Sequence, residues 1–249
     1  MSLSESRLRD LLPGVSLRFY ESVGSSNDLA LAWLREGAPQ GAAIIADEQR
    51  TGRGRKGRTW YTPPGVALAI SYILRPQPED IARVTLMGAV AVAELCEQVA
   101  APGVGIKWPN DVQIDGRKVC GVLPEAVWDG QRLLGVVLGI GVNIRVLFDD
   151  ALLQTAINLE DAAGQKLDRS EMAAFLLSRL AYWSGRLSSA DLMAAWRERL
   201  TTVGQTVRVE GLEGVVQSVD DDGALILQTP DGKQHRIMAG DVLPATSER

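Results

Sequence analysis

The chain has 249 residues, is 46% hydrophobic and carries a formal net charge of −5; it can bury a full core as one large domain, or as one large and one small. No apolar run reaches the roughly 18 residues that a bilayer span needs, and the N-terminal MSLSESRLRDLLPG has no charged segment followed by an apolar one, which points to a cytoplasmic protein with no membrane contact. The acidic balance argues against general nucleic-acid binding, and two cysteines (Cys96, Cys120) with one histidine (His235) argue against a disulfide framework, a histidine-based metal site or a triad.

Ser4 to Leu12 reads as a short helix ended by Pro13-Gly14, and Leu17 to Val23 as a strand. This head is too short for a helix-turn-helix domain. Gly24-Ser25-Ser26-Asn27-Asp28 gives N-cap chemistry ahead of an amphipathic helix over Leu29 to Glu36, stopped by Gly37. Ala42 to Asp47 is a buried strand that delivers the loop DEQRTGRGRKGRTWY, Asp47 to Tyr61. Between Arg50 and Arg58 this loop holds Arg53, Arg55, Lys56, three glycines (Gly52, Gly54, Gly57) and no acid. Glycine lets the backbone approach a ligand, and guanidinium groups make paired hydrogen bonds to phosphate or carboxylate oxygens. The loop is neither a Walker A motif nor a GxGxxG helix start, and alone it reads equally well as a solvated basic segment or a nucleic-acid patch. Its like charges and loose backbone predict a segment that orders only around an anion.

Val66 to Leu74 reads as a strand, and Glu79 to Ala100 as a long helix with Ile81, Val84, Val92 and Leu95 in its core face. Gly103 to Lys107 is a strand running into WPND, where Pro109 turns Asn110 and Asp111 out at the strand end. Val112 to Ile114 and Arg117 to Leu123 pair across Asp115-Gly116, a hairpin dipeptide. A lysine on such a hairpin, Lys118, is ordinarily solvated; the small Gly121 nearby admits a close ligand. Arg132 to Asn143 is a central strand ending in GIGVN, whose Gly139 and Gly141 mark close approach by either a packed side chain or a ligand. Ala151 to Gly164 reads as a loop with a short helix, and Arg169 to Leu187 and Ala190 to Leu200 as amphipathic helices. Thr206 to Glu210, Gly214 to Val219, Ala224 to Gln228 and Gln234 to Met238 are short strands with Asp-Gly turns. The fold class is α+β: a mixed sheet with helices mainly on one face over residues 1–200, then an SH3-like barrel over 201–249.

Four stretches in order, the arginine loop, KWPND (Lys107 to Asp111), GRKVCGVLPE (Gly116 to Glu125) and GIGVN (Gly139 to Asn143), closely resemble those of the biotin protein ligases. The resemblance covers nearly the whole chain. It implies a class II aminoacyl-tRNA synthetase-like catalytic fold and a reaction in two halves. Biotin and ATP, with Mg2+ present, give biotinyl-5'-AMP and pyrophosphate; a lysine of a biotin carboxyl carrier protein then takes the biotinyl group. At the matching positions Ser25, Ser26, Asn27 and Gln49 would face the biotin head group, and Gly54, Gly121, Gly139, Gly141 and Asn143 would border the ligands. Lys118, seven residues after Asp111, would be the catalytic lysine. Arg53 and Arg55 would screen the repulsion between carboxylate and phosphates, and Asp111 would orient or deprotonate the acceptor lysine.

No residue of the sequence is assigned as a metal ligand, and which groups hold Mg2+ stays open. Some members carry a DNA-binding domain and double as repressors; the short head here implies no DNA-binding role, and monomer and homodimer both remain open. Pro124 stands where an apolar or small residue is more usual before the acid Glu125, which puts the geometry of that strand end in question. Lipoate protein ligase, with the same adenylate logic, is the nearest rival. A non-catalytic nucleic-acid-binding module is disfavoured by the acidic balance and by the lack of aromatics among the loop cations.

Overall fold

The structure, a computed structural model, describes residues 3–245. Its main sheet has seven strands: β1 (Leu17–Val23), β2 (Ala43–Gln49), β3 (Ala67–Leu74), β4 (Val104–Lys107), β5 (Asp111–Ile114), β6 (Arg117–Asp129) and β7 (Arg132–Asn143). They lie in the order β1-β2-β3-β7-β6-β5-β4. The helices are α1 (Glu5–Leu11), α2 (Ser26–Arg35), α3 (Ile81–Gln98), α4 (Asp150–Leu153), α5 (Leu159–Ala163), α6 (Arg169–Ser184) and α7 (Ala190–Glu198). Because α2 carries the chain back between them, β1 and β2 run parallel, while the other neighbours pair antiparallel.

Strand β3, ALAISYIL, shows no polar alternation because every one of its residues is buried, as a strand covered on both faces requires. On one face α1, α3, α6 and α7 build the main core, with Met87, Val90, Leu176 and Leu180 against Ile45, Leu68, Ile70 and Val142. On the other, α2 lays Ala30 and Leu34 on Ile44, Ile73 and Val137. The helices thus sit mainly on one face, with α2 opposite.

Asp115 (φ 49) and Gly116 (φ 76) both take the left-handed conformation of a type I′ hairpin between β5 and β6. Strand β6 runs further than the sequence pattern shows, through Pro124 to Asp129. Beyond Cys120 its ladder neighbour is β7 and no longer β5, so the missing N–H of Pro124 is accommodated as on an edge strand. The ladder passes Pro124 and Glu125 unbroken, and a register shift follows between Val127 and Trp128.

Residues 206–244 form a second, antiparallel sheet of the SH3-like kind: β8 (Thr206–Val209), β9 (Leu212–Val219), β10 (Leu225–Gln228), β11 (Gln234–Ile237) and β12 (Leu243–Pro244), in the order β11-β10-β9-β8-β12. Strand β12 is too short to leave a period in the sequence. The apolar interior of this sheet joins the main core, since Val207, Val216, Leu225 and Leu227 fall in one cluster with α3. Trp108 of KWPND donates its Nε1–H to Gly223 O at 2.9 Å and its backbone N–H to Thr202 Oγ1 at 2.9 Å; the Trp108–Pro109 peptide is cis.

Candidate active site

The arginine loop is a small hairpin. Gln49 N–H donates to Thr62 O at 3.0 Å, Trp60 N–H to Gly52 O at 2.9 Å and Gly54 N–H to Arg58 O at 2.7 Å. Beneath it lies a cavity of about 270 Å³ that gathers Ser25, Ser26, Asn27, Gln49, Arg53, Gly54, Arg55, Asp111, Lys118, Gly121, Gly139 and Gly141. Of the site residues expected from sequence, Asn143 alone lies outside it, lining an adjoining cleft.

One end of the cavity is polar and closely wired. Gln49 Oε1 accepts from both the N–H and the Oγ of Ser26 at 2.9 Å. Ser71 Oγ lies 2.8 Å from Ser26 Oγ and 2.6 Å from Asn27 Oδ1. The expected N-cap chemistry is therefore corrected: α2 starts at Ser26, and Ser25 holds the N-cap position without a side-chain cap hydrogen bond. Gln49, from the end of β2, satisfies a free N–H of the first turn instead.

The glycines of the sheet receive side chains here. A Cβ on Gly141 would lie 2.1 Å from Trp60 Nε1, one on Gly121 would lie 3.0 Å from the same indole, and one on Gly139 would lie 2.4 Å from Asn27 Oδ1. A packed side chain thus meets Gly139 and Gly141, and both glycines also line the cavity. Trp60, absent from the expected site residues, forms a wall of the cavity, and its Nε1 is buried without a hydrogen-bond partner among the described residues.

Lys118 reaches the cavity through a β-bulge. Gln113 pairs with Lys118 but Val112 pairs with Cys120, so β6 gains a residue and Val119 and Cys120 both turn into the core. Lys118 is left on the site face, with its Nζ 2.6 Å from Asp111 Oδ1. Its backbone is fixed by Lys118 N–H to Thr155 O (2.7 Å), Ile157 N–H to Lys118 O (3.0 Å) and Asn143 Nδ2–H to Lys118 O (3.4 Å). Cys120 is buried, and burial pushes its thiol well above the usual range; burial likewise pushes Cys96 up to about 12. His235 lies in the second sheet beside Thr229.

Four of the loop cations, Arg53, Arg55, Lys56 and Arg58, are met by acids and carbonyls from distant elements, which corrects the expectation of a segment lacking counter-charge. Arg53 Nη2 lies 2.8 Å from Asp28 and 3.0 Å from Glu125. Arg55 donates to Asn110 Oδ1 at 3.0 Å and Gly240 O at 3.2 Å. Asp241 lies 3.1 Å from Arg58 and 3.4 Å from Lys56. Burial works to raise the Asp241 carboxyl, but Lys56, Arg55 and Arg58 together outweigh it and hold it below the usual range. Sequence could not show this neutralisation, since Glu125 and Asp241 are 72 and 183 positions from their loop partners.

The adjoining cleft, about 790 Å³, shares Thr59, Trp60, Asp111 and Lys118 with the first cavity and continues past Asn143 to Val146, Leu147, Phe148, Leu152 and Thr155. These residues follow β7 in a stretch without periodicity, so sequence reasoning passed over them. The Asn158 side chain pins the stretch, accepting from Val146 N–H at 2.7 Å and donating to Val146 O at 3.0 Å. One cavity thus suits a ligand with a polar head and an anionic end; the other suits a larger planar group on apolar and aromatic walls. Lys118 stands where they meet. Among the described residues no helix is long and apolar enough to cross a membrane, and no group of three or more His, Cys, Asp or Glu could hold a metal ion.

This fold and paired site match the Biotin/lipoate A/B protein ligase family model over residues 20–143 and the biotin protein ligase C terminal domain model over 202–243. The biotin acetyl-CoA-carboxylase ligase of Mycobacterium tuberculosis is 32% identical, over 97% of this chain and 95% of that protein. A bifunctional ligase/repressor of Bacillus subtilis is 32% identical over 96% of this chain and 78% of its own length. The structure of biotin protein ligase from Aquifex aeolicus in complex with biotin and ATP superposes with a TM-score of 0.79 at 25% identity, covering 91% of this chain and 97% of that one. The chain belongs to the biotin protein ligase family.

Proposed function

We propose that the protein joins biotin to ATP as biotinyl-5'-AMP and passes the biotinyl group to a lysine of a biotin carboxyl carrier protein. A biotin carboxylate oxygen attacks the α-phosphorus, the bond to the β-phosphate oxygen breaks, and pyrophosphate leaves. The acceptor amine then attacks the carbonyl carbon of the mixed anhydride, AMP leaves, and the amine loses a proton. The observation that carries this reading is Lys118, held against Asp111 at the seam of the two cavities. A biotin head group in the Ser26–Asn27–Gln49 end and a nucleotide base in the Phe148 cleft would bring carboxylate and α-phosphate together at that amine. Fixed positive charge stabilises such a transition state without reorganisation.

Arg55, beside Asn110, lies on the loop side of the same cavity and would ease the approach of two anions. Arg53 is engaged at the polar end by Asp28 and Glu125, which suits it to holding the loop over biotin. Asp111 would receive or orient the acceptor ammonium once the adenylate is made. Magnesium fits as the ATP complex rather than a protein-held ion, because among the described residues Asp111 is the one carboxylate bordering both cavities and Mg2+ is commonly carried by substrate phosphates and water. ATP–pyrophosphate exchange tests the reading: exchange with biotin, and none with lipoate or without an acid, is the expected result, and exchange with lipoate alone would overturn it.

A further inference from the structure

Glu125 is absent from the cavity lining, yet it joins the cavity floor to its roof. Its Oε2 accepts from Asn27 Nδ2 at 2.6 Å, and its two oxygens lie 3.0 and 3.1 Å from Arg53 Nη2. Asn27 cannot yield. It is 5% exposed, its Oδ1 is taken by Ser71, its Nδ2 also reaches Leu123 O at 3.4 Å, and Gly139 has been left without a Cβ to make room for it. The carboxylate is thus placed from the sheet side, and the partner it holds is the arginine on the loop.

Arg53 has a second acid, Asp28, at 2.8 Å. That side chain is 55% exposed, against 28% for Glu125. A solvated pair is screened and contributes little, whereas a charge-assisted contact held by a buried amide is stronger. Glu125 therefore carries the tie between loop and floor, and Asp28 is an accessory.

We propose that Glu125 is a positioning residue for the biotin site: it holds the arginine loop down at the polar end of the cavity, through the same Asn27 amide that borders the bound head group. The head-group assignment rests on the proposed function; the latch itself rests on geometry alone. Closure of the roof then depends on the order of the floor, since a fixed Asn27 is what holds the anchor of Arg53 in place.

The test uses Glu125→Gln, which keeps size and an acceptor for Asn27 but removes the charge, with Asp28→Asn as the matched change on the same guanidinium. Without ligand, trypsin should cut the loop of Glu125→Gln several-fold faster than that of the wild type and leave Asp28→Asn near wild type. For biotin, Glu125→Gln should raise KM about tenfold, the scale of one charge-assisted hydrogen bond, with kcat at saturating biotin within about twofold. In an Arg53→Ala background the same change should add nothing, because its partner is already gone. Equal cutting of Glu125→Gln and wild type, or additive effects in the double variant, would overturn the proposal. If the wild type binds no biotin, the functional reading fails, and the proteolysis comparison still decides the latch.

Discussion

Asp111 and Lys118 are each about one-third exposed (32% and 33%) at 2.6 Å. Such a pair adds only ~0–1 kcal/mol to stability, so its significance lies in aim. Asp111→Asn retains an oxygen for Lys118 but not the charge or the basicity that an incoming ammonium needs. It should keep adenylate formation within about tenfold while slowing transfer to the carrier lysine about 10²-fold. Single-turnover assays of the two halves check this, and equal losses in both would assign Asp111 to nucleotide positioning. The pair was legible through the family resemblance, in which the catalytic lysine stands seven residues after the aspartate; the hairpin alone reads Lys118 as solvated, and the bulge that turns it away from Cys120 leaves no sequence signal. Trp60, Glu125 and Asp241 escaped notice as site partners for a different reason. Each acquires its role from a residue far along the chain.

The segment leaving β7, pinned at Val146 by Asn158, is held as well by an ion pair with a buried acid. Arg145 donates to Gly65 O at 3.0 Å and Leu167 O at 2.8 Å and pairs with Glu160, whose side chain is 4% exposed. The Arg145 hydrogen bond is the largest of the influences that hold the Glu160 carboxyl at about 2, below its ordinary 4.5. A depressed folded-state value stabilises above the unfolded one, so this contribution is full above about pH 4.5 and is lost as pH falls towards 2. Glu160→Gln should cost on the order of 3 kcal/mol at pH 7 and flatten the stability profile between pH 4.5 and 2. Urea unfolding across that range is the measurement; a wild-type slope in the variant would show that another group titrates. Elements with a strong period or a turn dipeptide, such as β3 and the β5–β6 hairpin, were legible in sequence. The start of α2 was not, because the group that satisfies it is Gln49, 23 residues away, and β12 was not, because two residues carry no pattern.

At the scale of the molecule, the C-terminal sheet is built into the catalytic core. Trp108 is 2% exposed and hydrogen-bonds to both Thr202 and Gly223, while a Cβ on Gly223 would lie 2.8 Å from Leu86. Removing residues from Thr202 onward would uncover an indole whose burial is worth about 4–6 kcal/mol by area alone. The truncated chain should therefore melt far below the full-length protein and lose biotin binding with it. A truncated protein with the full-length Tm would make the sheet an independent appendage. An arrangement in which KWPND supplies both the seat of that sheet and the acid beside Lys118 ties folding of the C-terminal sheet to assembly of the site.

The central claim is that the polar cavity and the apolar cleft meet at Lys118, whose charge serves the first half-reaction. Single-turnover formation of biotinyl-AMP by Lys118→Ala, at saturating biotin and ATP and with the unfolding midpoint checked, tests it most directly. The account predicts a rate about 10²-fold or more below wild type with biotin still bound; adenylate formation at the wild-type rate would contradict it.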